Sequence, residues 1–373
     1  MKKIAIAVRT LKGKTGASAI VLEHAKFLVE KGYQVEIFSD KFDKELISNV
    51  GAKARSIKPF GLFDLGKRKS FSNKFSKIVK NEKFDLVIGH GDIIEQDIVF
   101  LHNIVFKAHE LIPDESDKKI KTVGEIHKNI FLKDKFKLCI ANSQMMKDDI
   151  VNRFNVNPEK IKVVYPGNNL ERFSKKKRDE NYHISRKELK IKDGDLLVGL
   201  ITSGNFEKRG VDVFLNAVNI LAKEIPNIKI LLVGKEKNPQ KYLNLIEDEK
   251  VKNSIMYIPQ TSSVEKLFCA LDLFVLPAYI EEFGLVVQEA MAMGLAVLLG
   301  ENVGAAELFA EHKQEVVFDS LAPVMLAKKI KQVLLDKKYR ERLQELSLRY
   351  SKTSDWDGYS QTIYEEYKKL GLL

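Results

Sequence analysis

Cysteine is nearly missing from this chain of 373 residues. Cys139 and Cys269 lie in apolar contexts in different halves, which excludes a disulfide framework and leaves no paired spacing for a zinc site. No uncharged apolar run approaches the length of a membrane span. Met1-Lys-Lys-Ile-Ala-Ile-Ala-Val8 passes directly into a strand pattern without the features of a signal peptide, so a cytoplasmic location is expected. Gly13 and Gly16 do not make the Gly-x-Gly-x-x-Gly dinucleotide fingerprint, and no acidic residue stands at its ribose position. Repeats and low-complexity tracts are absent as well. Acidic charge is in deficit, with 51 Asp and Glu against 62 Lys and Arg, a net charge of +11 that asks for an anionic partner. Nucleic acid, an acidic membrane surface and an anionic substrate compete for that role. The lack of helix-turn-helix, RNP or zinc-finger patterns disfavours nucleic acid.

What is present suits two domains of similar size, because one core rarely grows to this length. The first half alternates strand and helix: Ile4–Val8, a helix over 18–31 ended by Gly32, Tyr33–Phe38, Asp85–Gly89, Ile98–Leu101 and a strand ending before Ser143, which caps the next helix. Lys67 to Lys83 holds seven basic residues against one acidic, with Phe71, Phe75, Ile78 and Val79 at helical spacing. It reads as a basic amphipathic helix, one face on the sheet and the other solvated or resting on an anionic membrane. Lys175-Lys-Lys-Arg178 reads as a solvated linker after a turn. The second half restarts the pattern at Leu196–Thr202.

The segment from Leu273 to Leu299 organises the rest. Leu273–Leu276 is a short apolar run stopped by Pro277, as in a strand buried on both faces of a parallel sheet. Open α/β sheets bind ligands outside the carboxyl ends of their strands, so Glu281 in the following loop stands where chemistry is expected. Gly284 lets backbone approach a ligand, and a helix over 283–293 turns its positive end to the same crevice as an anion site. Glu289 follows eight residues after Glu281. Ser203 to Gly210 places Lys208 and Arg209 in a glycine-bounded loop before a helix, where two cations can hold a departing diphosphate without a metal.

Glu281 and Glu289 around Phe283-Gly284-Leu285, followed by Glu-Ala-Met-Ala-Met-Gly and a strand, resemble the double-glutamate signature of family 4 retaining glycosyltransferases with the GT-B fold, with likeness to lipopolysaccharide-core members. The resemblance implies two facing Rossmann-like domains with parallel sheets. Residues 1–167 would form the acceptor-side domain and 168–352 the nucleotide-sugar domain, with 353–373 a helix returning to the first. It implies a retaining hexosyl transfer from a nucleotide sugar, UDP-sugar being the favoured donor, to a cell-envelope glycan or glycolipid acceptor. No metal and no cofactor are implied. Glu281 would contact sugar hydroxyls and Glu289 the ribose. Lys208, Arg209, Gly284 and Leu285 would hold the diphosphate, and Gly16 would belong to the glycine loop beside the reaction centre. His102, after its strand, would lie near the donor sugar, and Asp97 would face the acceptor. His90 and Asp92 stand between those two strands as further polar candidates.

Other readings stay open at this point. A sugar-nucleotide epimerase or phosphorylase-like enzyme shares the architecture, and a non-enzymatic nucleic-acid- or membrane-binding protein would share the charge. Asp193-Gly-Asp195 and Asp355-Trp-Asp357 match the spelling of metal-dependent transferases, but both stand where turns commonly take aspartate.

Overall fold

The apolar runs of the first half become strands of one parallel sheet. A computed structural model describes residues 1–13, 15–112, 118–318, 320–351 and 355–373. They divide into two compact units, Met1–Gly167 with Trp356–Leu373, and Asn168–Asp355. Each is a Rossmann-like α/β domain.

In the first unit the strands are β1 (Lys3–Ala7), β3 (Gln34–Ser39), β5 (Lys53–Ser56), β6 (Leu86–Gly89), β7 (Ile98–Phe100), β8 (Leu138–Ala141) and β9 (Ile161–Val163), in the spatial order β5-β3-β1-β6-β7-β8-β9. All pairs are parallel. Chain order reverses at β1, so the crevice at the topological switch opens beyond the carboxyl ends of β1 and β6. Ile4, Ile6, Ile37, Ile88 and Phe100 are fully buried in its core, as the continuous apolar strands require. The helix Trp356–Lys369 closes the same core with Tyr359, Ile363 and Tyr367. Tyr367 Oη lies 3.1 Å from His24 Nε2, and Tyr364 Oη lies 3.0 Å from Tyr33 Oη. These two contacts tie the end of the chain to the helix Gly16–Glu30 and the turn after it.

The second unit holds β10 (Leu196–Ile201), β11 (Ile228–Gly234), β12 (Ile255–Pro259), β13 (Leu273–Leu276), β14 (Ala296–Gly300) and β15 (Val317–Phe318), in the order β12-β11-β10-β13-β14-β15 and again parallel. Its switch point lies between β10 and β13. The loops that follow these two strands therefore open side by side.

Thr10–Leu11 (β2) pairs with Lys41–Phe42 (β4) as a short second parallel sheet in the first unit. One expectation needs correction here. Lys175–Arg178 is no linker: it begins the helix Lys175–Glu188, capped by Ser174. Arg178 donates to the Leu271 carbonyl, and Arg186 is buried against Asp272 at 3.1 Å and the Asp195 carbonyl at 2.7 Å. A helix held by buried guanidinium groups has too little apolar periodicity to announce itself.

Candidate active site

The loop after β10 is shaped by its own polar side chains. Thr202 Oγ1 accepts the Gly204 amide at 2.9 Å, and Asn205 Oδ1 accepts the Lys208 amide at 2.8 Å. Phe206 is fully buried between Tyr242 and Tyr257, which pins the loop from below. Gly210 takes φ +64°, and a Cβ there would stand 1.9 Å from the Pro277 carbonyl oxygen. Only glycine lets the two loops come this close.

That approach brings the cations of one loop onto the carboxylates of the other. Arg209 Nη2 lies 2.5 Å from Glu281 and its Nη1 donates to the Ile280 carbonyl at 2.7 Å. Lys208 Nζ lies 2.6 Å from Glu282. All four side chains are 6–14% exposed. Burial pushes the Glu281 carboxyl up, against the pull of Arg209, with Glu282 adding to the rise. For Glu282 burial is outweighed by Lys208 and then Arg209, which hold its carboxyl below the usual range. Here two cations and two carboxylates form one compensated quartet, so any anion entering must share the cations or displace a carboxylate.

The segment after β14 clamps the second loop. The Glu281 amide donates to the Asn302 carbonyl, Gly304 to Glu281, and Ala305 to Phe283. Gly284, at φ +100°, is the N-cap of the helix Leu285–Ala292, which no side chain caps. The helix thus starts two residues later than the sequence pattern indicates, because the left-handed Gly284 precedes it. Its first turn, from Leu285, opens at the carboxyl end of β13. Glu289 lies about 7 Å further along the axis from Gly284. It is half-buried; burial pushes its carboxyl up to about 7, Arg172 pulls the other way, and Glu265 adds to the rise. Arg172 is itself committed to Glu265 at 2.6 Å.

In the first unit, His102 follows β7 and His90 follows β6. His90 Nδ1 and His102 Nε2 are 2.8 Å apart, the rings lie within 4° of parallel, and His90 stacks on Phe100. Burial, followed by neighbouring imidazoles, holds His90 well below the ordinary histidine value, so a neutral His90 ring meets His102 across a single shared hydrogen bond. Asp92 accepts the Arg9 amide at 2.8 Å and Arg68 at 3.0 Å, beneath the same edge. Gly16 is the first residue of its helix, next to Thr15, whose Oγ1 accepts the Ser18 amide at 3.2 Å.

Asp97 must be reassigned. It precedes β7, so in a parallel sheet it stands at the amino edge, a strand length from His102. Its carboxylate accepts the Val87 amide at 3.0 Å and pairs with Lys137 at 3.2 Å. These bonds make it a strand-edge clasp rather than an acceptor contact. Three groups went unmarked in the sequence: Glu282, the Arg172–Glu265 pair near Glu289, and Tyr279, whose hydroxyl donates to Asp212 at 3.1 Å. Only for Glu282 was there a signal, the charge balance that an adjacent Lys-Arg doublet demands.

Comparison with known proteins covers both units. Residues 14–172 match the family described as Glycosyltransferase Family 4, and residues 181–347 match Glycosyl transferases group 1. A D-inositol 3-phosphate glycosyltransferase of Salinispora arenicola is 23% identical over 94% of this chain and 86% of its own length. The crystal structure of WaaG, a glycosyltransferase involved in lipopolysaccharide biosynthesis, superposes with a TM-score of 0.83 at 19% identity, covering 96% of this chain and 98% of that one. Anabaena Alr3699/HepE in complex with UDP-glucose gives a TM-score of 0.78 at 18% identity, over 99% and 100% of the two chains.

Proposed function

The chain belongs to the group 1 and family 4 glycosyltransferases, of GT-B fold, and on that premise we propose that it is a retaining, metal-independent hexosyltransferase. Its donor is a nucleoside-diphosphate sugar, a UDP-sugar in first place, and its acceptor a cell-envelope glycan of the lipopolysaccharide-core kind. The observation that carries this reading is the quartet of Lys208, Arg209, Glu281 and Glu282 at the switch point beside the open helix end at Gly284. Two cations and a helix amino end meet the charge that builds on a leaving diphosphate, work otherwise given to a metal. Glu281 accepts hydroxyls of the transferred sugar while steadying Arg209. Glu289 accepts the ribose diol, since one carboxylate takes two hydrogen bonds from vicinal hydroxyls. In the first unit, His102 takes part in the transfer step, and the Gly16 helix start lies at the same carboxyl edge of that unit's sheet. UDP-glucose bound to the Anabaena protein of the same fold, and the lipopolysaccharide role of WaaG, support the donor and acceptor classes.

The direct test is transfer from UDP-glucose to a truncated core oligosaccharide with chelator present, followed by the anomeric signal of the product. An α-linked product at undiminished rate is expected; a β-linked product or a need for added magnesium would overturn the mechanism. His102→Ala should slow the same transfer at least about tenfold, roughly 1.4 kcal/mol of barrier, at unchanged UDP affinity. Release of free epimer or sugar phosphate instead of a glycoside would move the chain to another reaction class.

Glu289 gives the site a pH dependence. With its carboxyl pushed up to about 7 by burial, the carboxylate that accepts the ribose is largely protonated at pH 6 and largely ionised at pH 8. UDP affinity should therefore rise across that window in the wild type relative to Glu289→Gln, which cancels the titration of UDP itself. The linked stability runs the opposite way. A carboxyl whose folded value is raised loses stability as pH climbs from the unfolded value through about 7, so unliganded Glu289→Gln should melt above wild type at pH 8 and level with it at pH 4. Parallel pH curves in calorimetry would remove Glu289 from the ribose site.

A further inference from the structure

The loop between β5 and the helix Asp64–Glu82 holds a feature that glycosyl transfer does not use. Phe60, Leu62 and Phe63 are 71%, 93% and 79% exposed, the densest run of strongly exposed large apolar side chains among the described residues. A flexible loop would fold such residues inward. This one is held out from beneath: the Phe60 amide donates to Ser70 Oγ at 3.1 Å, and Lys74 Nζ donates to the Lys58 carbonyl at 2.8 Å. Gly61 takes φ +139°, and a Cβ there would stand 3.0 Å from the backbone of Gly66 and Lys67, so the loop rests directly on the first turn of the helix. Lys74 Nζ also lies 5.0 Å from the centre of the Phe60 ring.

The surroundings carry one sign of charge. Lys58, Lys67 and Lys69 are exposed around the loop. Between residues 58 and 81 the only acidic residue is Asp64, which is already paired with Arg9 and Arg68. We propose that Phe60, Leu62 and Phe63, ringed by Lys58, Lys67 and Lys69, form a wedge that docks the first unit on an anionic lipid bilayer. Large apolar side chains projecting singly from a cationic rim suit the boundary between headgroups and acyl chains, where hydrocarbon takes the rings and phosphates take the ammonium groups. A folded protein partner would instead need a contiguous surface to pack against. The loop follows the carboxyl end of β5, so the docked bilayer meets the same edge of the parallel sheet on which His90 and His102 lie. A lipid-borne acceptor would arrive at that edge.

Docking does not depend on the transfer reaction and is read without turnover. The full chain is sedimented with vesicles of phosphatidylcholine alone or mixed with phosphatidylglycerol, over a range of salt. Binding to the mixed vesicles only, weakening with salt, is expected. F60S/L62S/F63S should lower that binding about tenfold or more at unchanged melting temperature and UDP affinity. K58Q/K67Q/K69Q should lower it and flatten its salt dependence. Phe63→Trp gives a measurement that keeps the loop intact, its emission shifting to the blue when mixed vesicles are added. Equal binding by the serine variant, no preference for the anionic lipid, or no emission shift would overturn the proposal. A concentration-dependent dimer that the serine substitutions abolish, without vesicle binding by the wild type, would assign the wedge to a second copy of the chain and overturn it equally.

Discussion

Replacing Lys208 and Arg209 together with alanine is expected to remove measurable UDP binding and also to lower the melting temperature. Each cation lost from a diphosphate costs about 1.5–3 kcal/mol as a charge-assisted hydrogen bond, so the pair accounts for roughly a hundredfold or more in affinity. The fall in stability has a separate origin. Glu281 and Glu282 are left without counter-charges in a site where the side chains are 6–14% exposed, and breaking a buried pair from one side costs about 3–5 kcal/mol. The two effects part company in Lys208→Met with Glu282→Met, which removes one ion pair whole and fills its space. That variant should melt near wild type yet bind UDP about tenfold more weakly. If calorimetry finds its affinity restored with its stability, Lys208 serves only to balance Glu282, and the diphosphate must be held elsewhere.

The elements of both sheets were legible wherever burial on two faces leaves a continuous apolar run. Leu273–Leu276 is such a case, because Pro277 stops the pattern at the point where the strand stops. The helix after it was legible in kind but not in start, since a glycine at φ +100° caps the helix that the apolar pattern alone would begin earlier. Lys175–Glu188 was hidden because the groups that dock it are Arg178 and Arg186, bonded to the Leu271 carbonyl and to Asp272. Hydrophobic periodicity cannot register a contact made by guanidinium.

Asp97 fails for a different reason. The resemblance set it on the acceptor side, but β7 separates it from His102 by its whole length, and direction in a parallel sheet decides which end of a strand faces the crevice. The candidate site was legible in its residue types, since Lys208, Arg209, Glu281 and Glu289 all fall in the loop after β10 or on the segment that follows β13. What the sequence could not supply was pairing. That Arg209 takes Glu281 and Lys208 takes Glu282 depends on two loops meeting at Gly210 and Pro277, a distance set by tertiary structure alone.

That pairing makes an unusual outcome the expected one for Glu281→Gln. In the unliganded protein the Glu281 carboxylate lies 2.5 Å from Arg209 and competes with any incoming diphosphate for the same guanidinium. Glutamine keeps the shape and gives up the charge, so UDP should bind as tightly as to the wild type or more tightly. Turnover should move the other way. In the transition state the sugar carries positive character and its hydroxyls need an ionised acceptor, and deleting one such preorganised group typically costs about a hundredfold in rate, near 3 kcal/mol. Glu281→Gln should therefore show a dissociation constant for UDP at or below that of the wild type together with a kcat lower by about two orders of magnitude, a split that identifies an interaction made mainly in the transition state. The measurements are calorimetry with UDP and initial rates with saturating donor. Weaker UDP binding at unchanged kcat would mean that Glu281 only orients Arg209 for the diphosphate, and the carboxylate that meets the sugar would then be Glu282, whose partner Lys208 already holds it ionised.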